Sequence, residues 1–370
     1  MSARFLTVVL ERAFNMRDGF GREIDYMRIS VIDSCNLNCY YCNPCDNNEH
    51  CHALNILSVK EVLCIVRAAT RLGIKHFRLT GGEPLLHPQL DEMVLQIKKI
   101  PGVSSVSLTT NAVLLAQHAK WLKEAGIDSI NVSLDTIDAS EYERITKKPL
   151  LEEVKHGINA AIECGIRVKI NVVLTPQTDV VALTRYVAKK GTDIRFIEMM
   201  PVGEGHTNGV EPYKKVIGTL SKLYGEPCRI NTEKTKEINS GNDKRKIPDN
   251  GPAEYYIFPE LGIRVGLIQA IHGKFCDTCN RIRVTADGRL MPCLGSSVTM
   301  DLVPDSWDFA DDVEKDFAIV RAIRAAIKAK PRCHNFNDNV VTYTKTTETK
   351  TTEIEAAEVN AARNMSRIGG

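Results

Sequence analysis

The sequence predicts an α/β protein: a partial or full (β/α) barrel followed by a smaller C-terminal α+β domain. Three observations predict it. Between Tyr26 and about Tyr224, six apolar strand-like runs alternate with helix-period runs, the pattern of βα units that pair into one parallel sheet. Polar residues gather where those strands end. After Gly225 the alternation stops, and shorter strand-like runs surround a second group of cysteines.

The strand-like runs are Tyr26–Ile32, His76–Thr80, Val103–Thr109, Ser129–Ser133, Val168–Val173 and Asp193–Glu198. Between them Ser58–Leu72, Pro88–Ile100, Leu114–Ala125, Glu152–Cys164 and Asp179–Lys190 carry apolar residues at helical spacing. Ser58 with Glu61 reads as a capping box, and Gly73, Gly126, Gly165 and Gly191 each close a helix. The strands run into Thr80–Pro84, Thr109-Thr-Asn111, Ser133-Leu-Asp135 and Glu198–Pro201. Barrels of this kind carry their sites on the face where strands exit. Beyond it, Thr232–Asn250 reads as a polar loop, Glu254–Phe258 and Ile263–Ile268 as strands and Val313–Lys330 as a helix. The expected division is a barrel over 1–224, a cluster and substrate domain over 225–339, and a flexible Thr-, Glu- and Lys-rich tail over 340–370 ending in Gly-Gly.

Composition narrows the class. A chain of 370 residues with 43% hydrophobic and 25% charged residues has a sizeable core. A formal net charge of +2 supplies no global field for nucleic acid, so an anionic ligand needs a local basic cluster. The first apolar stretch, Phe5–Leu10, is too short to span a bilayer and lacks a leader pattern, which makes cytoplasmic the expectation. Twelve cysteines in such a chain point to metal ligation over disulfides.

Cys35, Cys39 and Cys42 lie on one short loop after the first strand. Three thiolates so spaced can hold three irons of a 4Fe–4S cubane and leave the fourth iron open; zinc also takes cysteine. Gly81-Gly82-Glu83-Pro84 combines two glycines that let backbone approach a ligand with a carboxylate that can accept from an ammonium group, or simply makes a tight turn. Cys276, Cys279 and Cys293 form the second group. Asp287-Gly288 between them is a two-residue hairpin signal, and pairing about it sets Cys293 opposite Ile282, near Cys279. A second cubane with an open iron, or zinc completed by His272, fits that set. Arg281 and Arg283 project to one strand face beside it, as suits a polyphosphate. Lys169 and Asn171 share a face of the fifth strand, where a buried lysine needs an anionic partner. Arg28, Arg78 and Arg195 also lie on predicted strands.

The first cysteine spacing resembles the signature of radical S-adenosylmethionine (SAM) enzymes, with Tyr41 at the aromatic position. With the second group, the Cys279-Asn-Arg-Ile-Arg283 run and the terminal Gly369-Gly370, the chain resembles the GTP 3′,8-cyclase family of molybdenum-cofactor biosynthesis from about Gly19 onward. The resemblance implies a lyase with two 4Fe–4S clusters, one cleaving SAM to methionine and a 5′-deoxyadenosyl radical, the other binding the purine of GTP. The radical takes hydrogen from C3′, and the sugar then attacks C8 to give (8S)-3′,8-cyclo-7,8-dihydroguanosine 5′-triphosphate. Carried over by motif, Tyr41, Gly81, Gly82, Glu83, Ser133 and Met200 bind SAM. Arg28, Arg78, Thr109, Lys169, Arg195, Arg281 and Arg283 bind GTP. Arg28, Arg281, Arg283, Gly369 and Gly370 serve catalysis. The implied partners are cyclic pyranopterin monophosphate synthase downstream and a flavodoxin or ferredoxin reductant. A homodimer is compatible, and neither nucleic acid nor membrane is expected. The chain departs from the family at Ser34, His76 and Ala112, and in the extra loop Cys45–His52.

Overall fold

The computed structural model describes residues 16–42, 55–202, 210–230, 251–296, 298–302, 312–334 and 336. The expected polar loop Thr232–Asn250, the tail over 340–370 with Gly369 and Gly370, and the Cys45–His52 loop all lie outside the described residues.

Strands β1 (Tyr26–Ser30), β2 (His76–Thr80), β3 (Ser105–Thr110), β4 (Ser129–Ser133), β5 (Val168–Leu174) and β6 (Asp193–Glu198) pair in sequence order, all parallel. Helices α1 (Val59–Arg71), α2 (Leu90–Lys98), α3 (Leu115–Glu124), α4 (Ala139–Thr146), α5 (Leu151–Glu163) and α6 (Val180–Lys189) connect them. Ser58 and Glu61 form the expected capping box on α1. The helices bury apolar faces such as Val62, Ile65, Val66 and Ala69 of α1, in one core with the strand residues that point outward. α4 and the short α7 (Gly218–Tyr224) carry too few apolar repeats to announce themselves in sequence.

The C-terminal segment joins the same sheet. The antiparallel β7 (Cys228–Ile230), β8 (Glu254–Ile257) and β9 (Arg264–Ile268) add to one edge, with β9 parallel to β6. At the opposite edge β10 (Arg281–Val284) pairs parallel with β1, followed by antiparallel β11 (Arg289–Met291) and β12 (Met300–Asp301). Helix α8 (Asp312–Lys328) packs against α1 and β11. A barrel opened between β1 and β6 is thereby extended on both sides.

The central strands alternate with period two. Met27 and Ile29, Val106 and Leu108, Ile170 and Val172, Ile194 and Phe196 enter the core. Their neighbours Tyr26 and Arg28, Ser107 and Thr109, Lys169 and Asn171, and Arg195 line an internal cavity. Both faces of a parallel sheet are normally apolar. Here the inner face is polar, so the barrel encloses a chamber instead of packing its centre.

One register differs from expectation. Arg283 pairs with Met291 and Val284 with Leu290, so continuing the ladder sets Cys293 opposite Arg281, not Ile282. The turn is longer than the two-residue form: Thr285 N–H donates to Arg289 O (2.8 Å), enclosing Ala286, Asp287 and Gly288, with Gly288 at φ +76°. A three-residue loop closing on a left-handed glycine shifts the pairing by one.

Ala112 is fully buried at φ +65°. Left-handed backbone costs an L-residue about 1–2 kcal/mol, more than one buried methyl returns, about 0.8 kcal/mol. Ala112→Gly is therefore expected to raise the unfolding free energy by up to about 1 kcal/mol in denaturant titration. A loss of that size would show that the methyl's packing outweighs the strain.

Candidate active site

The chamber has a volume of about 360 Å³ and is lined by both cysteine groups. Topology separates them. Cys35, Cys39 and Cys42 follow the C-terminal end of β1. β10 runs parallel to β1, so Cys276 and Cys279, which precede it, lie at the opposite end. Antiparallel β11 brings Cys293 back to that same end. The chamber thus runs from one thiol group to the other.

Backbone hydrogen bonds seat the first loop on the end of α4: Asn38 N–H donates to Thr146 O (3.0 Å) and Tyr40 N–H to Ile145 O (3.1 Å). Tyr41 donates to Asp135 Oδ2 (2.5 Å), whose Oδ1 accepts from Val173 N–H (2.7 Å). The Tyr41 ring is thereby locked against the ends of β4 and β5. Burial pushes the Asp135 carboxyl up to about 6, while Tyr41 and Val173 hold it down. Burial raises the Cys39 thiol, and the Cys42 and Cys35 thiols nearby raise it further. Burial likewise lifts Cys35 to about 11. Three soft sulfur donors that feel one another's charge fit an iron–sulfur cluster, which takes them as thiolates.

The two glycines serve backbone-to-backbone contact. A Cβ on Gly82 would lie 2.1 Å from Ser34 O, and one on Gly81 2.3 Å from Ile32 O. Gly82 N–H donates to Ile32 O and Glu83 N–H to Ser34 O, both at 2.8 Å, which ties the end of β2 under the cysteine loop. Glu83 is buried and does not line the chamber. Its Oε1 accepts from Thr110 Oγ1 (2.7 Å) and Leu85 N–H (3.0 Å), and its Oε2 from Asn111 N–H (2.7 Å). Burial drives this carboxyl up to about 7 against those three donors. Asn111 in turn donates to Cys35 Sγ (3.8 Å) and Asn36 Oδ1 (2.7 Å). Glu83 therefore reaches the first loop through Asn111, whereas Tyr41, Gly81, Gly82, Ser133 and Met200 line the chamber directly.

Every residue expected to contact GTP lines the chamber: Arg28, Arg78, Thr109, Lys169, Arg195, Arg281 and Arg283. Register explains the grouping. Arg283, Arg28 and Arg78 occupy paired positions on β10, β1 and β2, and so stand side by side. Arg78 Nε donates to Tyr26 Oη (2.5 Å) and its Nη1 to Thr109 Oγ1 (3.4 Å); Arg195 Nε donates to Asn171 Oδ1 (2.9 Å). Burial, then the charges of Arg283 and Arg78, push Arg28 well below the usual guanidinium range. Burial and Arg281 bring Arg283 down to about 10. The two carboxylates on the wall are engaged elsewhere, Asp128 with Lys98 (2.9 Å) and Val106 N–H (2.7 Å), Asp135 with Tyr41. The chamber's field is strongly positive, as a polyphosphate requires.

At the far end, burial raises the Cys279 thiol, but the charges of Arg281 and Lys330 outweigh it and bring it down to about 7. Burial raises Cys276, with Cys293, Cys279 and Cys333 adding to the effect. All three thiols line this end of the chamber, and their donor chemistry suits a cluster. His272, the residue that would complete a zinc site, does not line the chamber and pairs through Nδ1 with Glu198.

Sequence reasoning missed the supports of this end. Arg22, buried, donates from Nε to Asp18 Oδ2 (2.5 Å), from Nη1 to Cys276 O (2.6 Å) and Arg332 O (2.9 Å), and from Nη2 to Pro331 O (2.6 Å). Nothing in the spacing of Asp18 and Arg22 points to residues more than 250 positions away. Lys330 was legible only as the end of a helix. Tyr26 was legible only as a strand residue.

Comparison with known proteins places the chain. The Radical SAM superfamily model matches residues 29–182 and the Molybdenum Cofactor Synthesis C model residues 192–336. A GTP 3′,8-cyclase of Clostridium perfringens (strain SM101 / Type A) is 36% identical over 324 residues, 87% of this chain and 95% of the relative. One from Pelotomaculum thermopropionicum is 37% identical over 327 residues, 86% of this chain and 95% of the relative. The crystal structure of Streptococcus suis SuiB bound to S-adenosylmethionine superposes with a TM-score of 0.52 at 15% identity, over 81% of this chain and 65% of that one. That likeness concerns the fold alone. The chain belongs to the GTP 3′,8-cyclase family of the radical SAM superfamily.

Two substitutions test the seating of the first loop. Tyr41→Phe removes the donor to Asp135 Oδ2 and is expected to cost about 1–3 kcal/mol and to lower iron retention after anaerobic reconstitution. Glu83→Gln sets an amide N–H₂ against one of three donors, with a similar expected loss of stability in thermal melting. Parent-like stability and iron content in both would show that the loop is held by its backbone contacts alone.

Proposed function

We infer that the chain is a GTP 3′,8-cyclase, a radical SAM lyase that converts GTP to (8S)-3′,8-cyclo-7,8-dihydroguanosine 5′-triphosphate in the first step of molybdenum-cofactor biosynthesis. The observation that carries the reading is the row Arg283–Arg28–Arg78 inside a chamber with three cysteines at each end. Two like-charged neighbours beside a half-buried guanidinium are costly without a polyanion, and a triphosphate is a ligand that offsets several at once. Arg281 at the chamber's far end, with Lys169 and Arg195 across from the arginine row, completes a cage for one extended anionic molecule.

The reading holds two 4Fe–4S clusters, one on Cys35, Cys39 and Cys42 and one on Cys276, Cys279 and Cys293. Reduced and bound with SAM, the first supplies a 5′-deoxyadenosyl radical. The chain's own residues bind and orient. Tyr41, Gly81, Gly82, Ser133 and Met200 border the SAM end, and Glu83 supports that end through Asn111. Arg28, Arg78, Thr109, Lys169, Arg195, Arg281 and Arg283 hold the substrate so that its sugar faces SAM. Enclosure by the barrel, with GTP and SAM filling the chamber, keeps bulk water from a carbon radical. In this reading residues 1–224 form the barrel and 225–339 the substrate end. The reading also gives Gly369 and Gly370, which lie outside the described residues, a part in catalysis. Electrons come from a flavodoxin or ferredoxin, and cyclic pyranopterin monophosphate synthase takes the product. We place the enzyme in the cytoplasm and leave a homodimer compatible with the fold. No helix of the described residues is long and apolar enough to cross a membrane.

Anaerobic reconstitution with SAM, GTP and dithionite tests the reading. About eight irons per chain and 5′-deoxyadenosine formed in step with GTP loss are expected. SAM cleavage indifferent to GTP would assign another substrate. Arg283→Gln should raise the GTP KM at least about tenfold, the loss of a charge-assisted hydrogen bond, with iron content unchanged. An unchanged KM would remove Arg283 from the substrate site. Deleting Gly369 and Gly370 should stop GTP conversion without loss of iron; a fully active truncation would make them bystanders.

A further inference from the structure

The second cysteine end contains a buried cation that the reading above does not use. Lys330 follows α8 by two residues and is 3% exposed. Its Nζ donates to Arg281 O (2.7 Å) and Pro292 O (2.8 Å). Those two carbonyls flank the open end of the β10–β11 hairpin: Arg281 lies two residues after Cys279, and Pro292 immediately precedes Cys293. Lys330 lines the chamber with both cysteines. An ammonium taken out of water needs a compensating anion, and two neutral carbonyls do not supply one. Among the described residues no carboxylate forms an ion pair with Lys330, and Asp18 is paired with Arg22. Arg22 and Arg281 add further positive charge around Lys330, while Cys279 and Cys293 are the groups whose negative form would stabilise its ammonium.

We propose that Lys330 is a positioning residue for the second iron–sulfur site, stapling the strands that carry Cys279 and Cys293 and acting as the counter-cation that sets the reduction potential of the cluster they hold. The proposal rests on the two-cluster reading. Three thiolates and an iron–sulfur core make an anionic group, and a fixed positive charge beside it favours the form with one more electron. Arg22 plays a different part. Its four hydrogen bonds tie Cys276 O to Asp18 and to the segment 331–332, and its charge already has a carboxylate. Lys330 combines staple and charge; Arg22 is a brace.

The experiment uses the full chain carrying Cys35, Cys39 and Cys42 all changed to Ala, so that iron at the second site is read alone. Iron per chain and the potential of that cluster, by redox titration followed with electron paramagnetic resonance, are measured with Lys330 intact and in Lys330→Gln, Lys330→Met and Lys330→Arg. The two neutral variants are expected to shift the potential to more negative values, and Lys330→Arg to stay near the parent. Neutral variants that load iron at the parent potential would overturn the counter-cation role. If neither neutral variant retains iron while Lys330→Arg does, charge is required to hold the cluster, which supports the proposal. Loss of iron in all three would reduce Lys330 to a packing piece and overturn it. Absence of iron in the protein with Lys330 intact would overturn the two-cluster reading and this role with it.

Discussion

The parallel pairing of β1 with β10 is the constraint on which the rest of the structure depends. It joins the C-terminal segment to the edge of the barrel sheet and lays Arg283 beside Arg28. It also orients β10 so that the cysteines before it fall at the end of the chamber opposite the first cysteine loop. A shift of one residue would turn Arg281 and Arg283 into the core and Ile282 and Val284 into the chamber. Burial of Ile282 and Val284 in the common core therefore specifies where the arginines point.

The two ends of the chamber are held by different physical means. The first loop is seated by backbone hydrogen bonds to α4 and by carboxylates, the half-buried Asp135 under Tyr41 and the buried Glu83 under Asn111. The second is held by buried cations, Arg22 on Cys276 O and Lys330 on the hairpin carbonyls. The difference follows the ligands in the proposed function. Both ends hold an anionic three-thiolate cluster in that reading, but at the first end the sulfonium and ammonium of SAM offset it, so charge there is nearly balanced. The far end faces a nucleotide and an anionic cluster, so its supports carry positive charge.

Between the ends, the chamber departs from ordinary barrel packing. A βα barrel usually fills its interior with branched apolar side chains. Here Ser107, Thr109, Lys169, Asn171 and Arg195 occupy those positions. Desolvation of the guanidiniums on the same inner face is a standing cost, visible in the lowered values of Arg28 and Arg283. The apolar layer outside, from Met27 and Ile29 through Val106, Leu108, Ile170 and Phe196, lets the fold tolerate it.

The sequence by itself determined the βα order, the strand positions, the helix caps and the two cysteine groups, because these depend on residues a few positions apart. The period-two alternation even marked the polar inner face, since neighbouring side chains on a strand must point to opposite sides. The spacing of Cys276, Cys279 and Cys293 placed them at one end of the hairpin, though the local turn moved their register by one residue. Only the tertiary structure decided that the C-terminal strands extend both edges of one sheet, that the thiol groups sit at opposite ends of the chamber, and that Glu83 faces inward to Thr110 and Asn111. It alone recruited Arg22 and Lys330. Strand pairing between distant segments depends on which edges remain open after the barrel forms, and side chains such as Arg22 acquire partners only when segments hundreds of residues apart are packed together. Local sequence carries no record of either.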